Sequence, residues 1–319
     1  MTKFASPTTT ARSTRSTAKR GLLALLAVST ASAVVALTGV QSAAAHGPDV
    51  PAPVSPSVTG EHAEPKMVST GPGTASAASS YNIVRYNKLY QTGRLGASKC
   101  KMPAYPLTTA GNVKAYHLSF LYCLNNVWVG KIRAAGKTFT KPTLVVHEKG
   151  VNSACGFIPA NNAYYCSGSR GIYIPWKRYL NMWKNNGAGY ARAYAMQIIA
   201  HEYGHHVQAM TGILQASHYR QVYVHKTSAK KLEENRRMEL QASCFSAAYL
   251  GADRAYFPMT GSIYTNWRWM VANMGDDAVA GGPRDHGSKS SHNWWSLRGY
   301  NNMTSASCNT WTGASSIVD

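Results

Sequence analysis

The chain has 319 residues and a formal net charge of +20, from 33 lysines and arginines against 13 acidic residues. This balance favours contact with polyanions, such as anionic cell-wall polymers. The basic residues are scattered, and no RNA-binding or helix-turn-helix signature accompanies them, which argues against a specific nucleic-acid partner. No stretch beyond the N-terminal region is apolar over spanning length, so we expect no stable membrane insertion of the mature chain.

The first 45 residues predict a secretory signal peptide. Residues 1–20 are basic and hydroxyl-rich, residues 21–40 are small and apolar, and three alanines at 43–45 form a cleavage pattern. An uncleaved membrane anchor is the alternative, because the apolar run approaches spanning length. Five positive charges lie within 1–20, so removing the signal from a chain of +20 leaves +15.

Residues 46–80 predict a disordered linker, because they are rich in Pro, Ser, Gly, Ala and Thr and have almost no large apolar residues. Whether this segment serves as a spacer or as an inhibitory pro-segment is open. The remainder, 81–319, has the length of one folded domain with a sizeable core.

Hydrophobic spacing predicts the elements of that domain in chain order. Apolar residues three and four apart, Leu118 among them, indicate a helix over 111–135. The β-branched runs at 143–147 and 171–175 indicate two short strands. A short helix is expected over 176–184, ended by the breaker NNGAG.

Two longer helices follow. The clearest covers 188–210, with Gly212 as its stop, and the next covers 228–251, with Ser228 as a candidate N-cap and Gly251 at its end. The last seventy residues are rich in Trp, Gly, Asn and Ser, which predicts short helices and loops.

Six cysteines in an exported chain predict three disulfides. Six cysteines allow 15 pairings, and we expect pairing between nearest neighbours along the chain. The expected pairs are Cys100–Cys123, Cys155–Cys166 and Cys244–Cys308. Cysteine ligation of zinc is the competing interpretation, but the chain has no CxxC spacing.

The segment HEYGHHVQ at 201–208 carries the chemistry. Residues four apart share one face of a helix, so His201 and His205 can present two imidazole nitrogens to one cation. Glu202 lies beside that face and can accept a proton from a metal-activated water. This is the HExxH arrangement of zinc hydrolases.

A catalytic zinc site needs a third protein ligand. Glu239 is the favoured candidate, because it lies in the apolar part of the helix at 228–251, and His206 is a weaker rival that points about 100° away around its helix. Glu233 and Glu234 lie among lysines and arginines, which favours a solvated face.

Four ordered blocks resemble the bacterial neutral zinc metallopeptidase family. They are HEYGHHVQAMTGI, the downstream ELQASCF, the upstream SACG with NNAYYCSGSRGIYIP, and the tail from GDDAV to SASCNTW. The likeness covers roughly 100–311. It implies that His201, His205 and Glu239 bind Zn²⁺ and that Glu202 is the general base.

The resemblance also implies the fold. The fold class is α+β: a mainly helical, zincin-like domain whose small β-sheet flanks the active-site helix, with an edge strand beside the cleft. One departure concerns position 243, where the family usually has Asp four residues after the ligand Glu and this chain has Ser243. A serine still offers a hydrogen bond to a ligand histidine, but with less charge. A second departure is that no acid follows the IYIP strand.

The sequence therefore predicts a secreted zinc endopeptidase that acts on a protein or peptide substrate. The developing oxyanion needs a donor, for which His286, Tyr203 and Tyr300 are candidates. Strand 171–175 is expected to pair with an extended substrate. The rivals are a catalytically degenerate zincin that binds wall polymers through its basic charge, and a zinc hydrolase of wall peptides or amides.

Overall fold

The structure is a computed structural model that describes residues 76–319, apart from Pro258, Val279 and 282–283. The predicted signal peptide and most of the predicted linker lie outside the described residues. The first helix begins at Ala77, so the predicted boundary between linker and domain, at residues 80 and 81, falls inside a helix.

Helices form most of the described part of the chain, and a small sheet is inserted between the second and third of them. The helices are α1 (Ala77–Arg85), α2 (Ala110–Ala134), α3 (Trp176–Thr211), α4 (Ile213–Tyr219), α5 (Ser228–Asp253), α6 (Gly261–Asn273) and α7 (Lys289–Asn302). The strands are β1 (Thr143–His147), β2 (Val151–Ser153), β3 (Gly156–Ile158), β4 (Tyr164–Cys166) and β5 (Gly171–Pro175). The predicted fold class, α+β and mainly helical, is confirmed.

The main sheet has three strands in the order β1–β5–β4. Strand β5 runs parallel to β1 and antiparallel to β4, while β2 and β3 form a separate antiparallel hairpin. Both predicted strands are confirmed, but the expected role of 171–175 is wrong. Because β5 pairs with β1 along its length and with β4 over 171–173, it is the central strand of the sheet and offers no free edge to a substrate over those residues.

The predicted helix at 111–135 is confirmed as α2, which Thr109 caps by accepting a hydrogen bond from the backbone N–H of Asn112. Its inner face buries Tyr116, Phe120 and Trp128. Leu118 is the exception to the predicted face, since it is 47 % exposed. Apolar residues at a spacing of three to four predict where the helix lies, but they do not determine how wide its buried face is.

Helix α3 contains both helices that were predicted across 176–210. They join at Gly187, whose φ of 82° lies in the left-handed region, so the chain kinks there instead of forming a loop. Gly212 ends α3 in the left-handed conformation, as predicted.

Helix α5 confirms the helix predicted at 228–251, with different ends. Thr227, not Ser228, is the N-cap and accepts from the backbone N–H of Lys230, and the helix continues past Gly251 to Asp253. The predicted stop fails because Gly251 packs against the backbone of Tyr300 on α7, where a side chain would not fit.

Helix α3 crosses α5 at a point of backbone contact. A Cβ built on Gly204 would lie 2.7 Å from the carbonyl oxygen of Ala242 and 2.9 Å from its Cα. Only glycine permits this approach. The crossing brings the HExxH turn of α3 against the middle of α5, and so it positions the site described below.

All three predicted disulfides are confirmed: Cys100–Cys123, Cys155–Cys166 and Cys244–Cys308. The last bond ties the middle of α5 to the C-terminal segment. In the described part of the chain, no helix combines the length and apolarity needed to cross a membrane.

Candidate metal centre

Three donor atoms from α3 and α5 converge on one point. The Nε2 atoms of His201 and His205 lie 3.1 Å apart, and each lies 3.2 Å from Oε2 of Glu239. His205 and Glu239 are buried, while the His201 side chain is 15 % exposed. The three predicted ligand residues are thus brought together, and His201 is the most exposed of them.

This triangle fits Zn²⁺. Zinc bound by histidine and carboxylate at about 2.0–2.1 Å with tetrahedral angles separates its ligand atoms by about 3.3 Å. The three observed edges of 3.1–3.2 Å are close to that spacing. Three protein ligands also leave the fourth tetrahedral position for water or substrate, as in catalytic zinc sites.

The Nδ1 atom of each imidazole, on the side away from Glu239, has an oxygen partner. His205 Nδ1 lies 2.9 Å from Oε1 of Gln208, whose amide nitrogen donates to the carbonyl oxygen of Met238. That orientation makes Oε1 an acceptor, so His205 donates from Nδ1. His201 Nδ1 likewise lies 3.0 Å from Oγ of Ser243. When each neutral ring is protonated at Nδ1, both Nε2 atoms face Glu239 with lone pairs.

Lone pairs that converge in this way require a positive charge among them. Burial by itself lowers the pKa of His205, but the Glu239 carboxylate outweighs this and raises it to about 9. Burial would raise the pKa of Glu239, yet the facing imidazoles hold it well below its usual range. The centre thus holds either a proton or a metal cation between its donors.

Glu202 is buried beside the triad on the same turn of α3. Burial raises the pKa of its carboxyl group, and the charges of His201 and His205 only partly offset the rise. A carboxyl group with a raised pKa is a better proton acceptor at neutral pH than a solvated one.

His286 points Nε2 towards the triad, 3.9 Å from Oε2 of Glu239. Its Nδ1 donates to Asp285 at 2.6 Å, and its backbone N–H donates to Asp276 at 2.6 Å. Burial lowers the pKa of His286, but Glu239, Asp285 and Asp276 outweigh it and raise the pKa to about 10. The site therefore includes an imidazole whose raised pKa favours the cationic form and which two acids hold in place.

Asp276 and Asp285 were missed from the sequence. The only available signal was their short separation from His286 in GDDAVAGGPRDHGS. Together with His286 they form a second group of donor atoms close enough for a metal ion. Asp285 and Asp276 instead accept hydrogen bonds from the side chain and the backbone of His286, and these bonds explain why the two acids lie there.

The rival candidates lie elsewhere. His206 is buried between Tyr165, whose hydroxyl lies 3.0 Å from Nδ1, and the carbonyl oxygen of Thr140, 2.8 Å from Nε2. Both ring nitrogens are used in these contacts, so His206 is no metal ligand. Tyr203 donates to Asn125, and Tyr300 packs against Trp267, away from the triad.

Glu234 contradicts its prediction. It was expected on a solvated face but is buried, with Arg220 and His225 against Oε2 and Trp311 against Oε1. These partners come from outside α5, which the sequence around Glu234 does not reveal. Glu233 is half-buried and pairs with Lys230 and Arg237.

A mainly helical domain with HExxH on one helix and a ligand-type glutamate on a second defines a zinc metallopeptidase class. Comparison with known families agrees: residues 107–311 match the model described as "Putative neutral zinc metallopeptidase". The chain belongs to this family.

The curated relatives are similar only at a distance. The protein of Escherichia coli K12 called "Uncharacterized protein YpfJ" is 29% identical over 197 residues, which cover 58% of this chain and 67% of the relative. The protein of the same name from E. coli O6:H1 strain CFT073 matches to the same extent. No solved structure matches the chain.

Proposed function

We propose that the protein is a secreted zinc endopeptidase. The observation that carries the proposal is the convergence of His201, His205 and Glu239, with an oxygen partner behind Nδ1 of each imidazole and Glu202 beside them. These three residues would hold Zn²⁺. When bound, the ion supplies Lewis-acid activation of water and of the scissile carbonyl group.

The protein's own groups move the protons. Glu202 accepts the proton of the attacking water and delivers it to the leaving amine. Its burial favours this role, because a raised pKa lets the carboxylate accept a proton near neutral pH and lets the acid form give it back.

His286 stabilises the negative charge that develops on the substrate oxygen. The raised pKa of its ring favours the cationic form, and Asp285 and Asp276 hold the residue beside the triad. A fixed cation in a buried site costs no reorganisation during the reaction.

Export is part of the proposal. The N-terminal 45 residues carry the pattern of a signal peptide, and three disulfides suit an oxidising compartment. N-terminal sequencing of protein from the culture medium should begin at His46. A mature chain that keeps the apolar segment would contradict export by cleavage.

The substrate class follows from the family and from the proposed chemistry. Purified protein should cleave an unfolded casein-like protein, lose the activity to a zinc chelator, and regain it with added Zn²⁺. A protein that binds zinc but cleaves only peptidoglycan peptides would contradict the endopeptidase assignment. A protein that binds zinc and cleaves neither would contradict any peptidase activity.

Two substitutions separate the roles. Glu202→Gln should leave zinc bound and lower kcat by about 10²–10⁴-fold, because it removes the proton acceptor but no ligand. His286→Gln should lower kcat by about 10²–10³-fold with little change in KM, because the donor acts on charge that forms in the transition state. His218→Gln, on α4, is the matched control and should keep full activity. Full activity of Glu202→Gln would reject its role.

A further inference from the structure

A chain of hydrogen bonds behind His201 leads out of the metal centre. Ser243 Oγ lies 3.0 Å from His201 Nδ1 and 3.2 Å from Nε2 of His292, on α7. His292 Nδ1 then lies 3.2 Å from the carbonyl oxygen of Val271, on α6. Four residues from four helices are thus linked in series.

The end of this chain fixes its direction. A carbonyl oxygen only accepts, so His292 donates from Nδ1 to Val271. A neutral His292 then has a lone pair on Nε2, which accepts the proton of Ser243 Oγ. Having donated its only proton, Ser243 accepts from His201, and the proton of His201 lies on Nδ1.

Helix α6 supplies the carbonyl group because the helix ends there. The last four carbonyl groups of a helix have no partner within it. Helix α6 ends at Asn273, so Val271 is in its last turn and its oxygen is free of the helix ladder. His292 satisfies this oxygen from outside.

We propose that Ser243 and His292 are positioning residues that lock His201 in the tautomer needed for zinc binding, and that their neutrality leaves the metal less tightly held than a carboxylate at position 243 would. This inference rests on the proposed zinc site. His205 has a neutral acceptor as well, in Gln208. Neither proposed histidine ligand is therefore backed by a charge.

The physical reason is the basicity of the ligand. A carboxylate that accepts from Nδ1–H makes the imidazole a stronger electron donor to a metal, and a hydroxyl or amide oxygen does so less. A centre with two neutral acceptors should bind zinc more weakly, and the ion should keep more of its electrophilic character.

The test is the zinc affinity of the full chain, measured by competition with a chromophoric chelator. Ser243→Ala should raise the Kd for zinc by about 10–100-fold, the range for loss of such supports. Ser243→Asp should lower it below the wild-type value. The matched control is Ser246→Ala on the same helix, since the Ser246 hydroxyl donates to Gln197 and makes no contact with the triad in the described structure. The control should bind zinc like the wild type.

His292 provides the test of order in the chain. His292→Phe should weaken zinc binding in the wild-type background and add nothing in the Ser243→Ala background, because it acts only through Ser243. His292→Gln, which keeps an acceptor for Ser243, should restore most of the affinity. The comparison of His292→Phe with His292→Gln remains informative even if Ser243→Ala fails to fold.

A spectroscopic readout separates positioning from general stability. Two-bond ¹H–¹⁵N correlation spectra should show His201 protonated at Nδ1 in the wild type and in Ser246→Ala, and a mixture of tautomers in Ser243→Ala. Equal zinc affinity of the two alanine variants, or an equal effect of His292→Phe in both backgrounds, would overturn the inference. A wild-type chain that binds no zinc would instead reject the proposed function.

Discussion

Two buried glutamates five residues apart on α5 illustrate the difference between a structural acid and a metal-site acid. Glu234 is surrounded by donors: Arg220 and His225 against one oxygen and Trp311 against the other. Glu239 faces two imidazole nitrogens, and the other nitrogen of each ring has an oxygen partner of its own, in Ser243 or Gln208. The first acid is complete within the protein, and the second is complete only with an added positive charge.

The difference lies in the partners and not in burial. Both side chains are nearly inaccessible, so an exposure criterion would treat them alike. The decisive feature is whether the partner's own hydrogen bonds leave it a proton to donate. Arg220 always has one, whereas each imidazole of the triad uses its neutral-state proton elsewhere.

The largest expected effect is on zinc. Glu239→Gln should abolish stoichiometric zinc binding, because it removes one donor and the charge that the cation neutralises. Glu234→Gln should bind zinc like the wild type. Metal content after dialysis against micromolar zinc checks both. Zinc at a hundredfold excess over Kd should also stabilise the wild type by about 2.7 kcal/mol and leave Glu239→Gln unaffected. If Glu239→Gln retained zinc, the distinction between Glu239 as a metal ligand and Glu234 as a structural acid would be wrong.

The second effect concerns stability. Glu234→Gln should lower the free energy of unfolding by about 3–5 kcal/mol, because it leaves Arg220 buried without its counter-charge. Glu233→Gln is the matched neighbour and should cost about 1 kcal/mol or less, since Lys230 is exposed and Arg237 keeps its hydrogen bonds to the carbonyl oxygens of Thr310 and Gly313. Denaturant unfolding of both variants measures the difference. Similar losses would mean that the cluster around Glu234 contributes no more than a surface pair.

The smallest effect concerns the crossing that holds the second acid beside its imidazoles. Gly204→Ala should cost about 1–3 kcal/mol and weaken zinc binding, because the new methyl group meets the backbone of Ala242 and pushes α3 from α5. Gly130→Ala on α2 is the control, since nothing lies within 4 Å of its Cβ position. It should stabilise the helix by up to about 1 kcal/mol. Thermal unfolding of both variants, with and without zinc, measures the effect. If Gly204→Ala were as stable as Gly130→Ala and bound zinc as well, the close crossing of α3 and α5 would not matter for the site.

Local sequence was sufficient for the elements around the site. The spacing of apolar residues placed α2, the two halves of α3 and α5, and nearest-neighbour pairing predicted all three disulfides. The pair His201–His205 follows from the period of the helix alone, because residues one turn apart must share a face. The choice of Glu239 over Glu233 rested on its apolar neighbours, which also act over one turn.

Other features depended on distant parts of the chain. The two-sided pairing of β5, the burial of Glu234 and the support of His286 by Asp276 each join elements that are far apart or separated by irregular segments. Ser243 and His292 lie 49 residues apart and meet only because α5 and α7 pack closely. The spacing of apolar residues within one helix or strand does not show which other helix or strand packs against it.

The sequence by itself determined the chemical type of the site: two imidazoles and a carboxylate on one helix turn, with candidate acidic ligands on a later helix. It also determined the pairing of the cysteines. Tertiary structure brought Glu239 within reach of the two imidazoles and supplied the partners that place the imidazole protons. The physical reason is that tautomer and charge depend on each group's next partner. That partner is set by how the helices cross, with Gly204 permitting the closest approach.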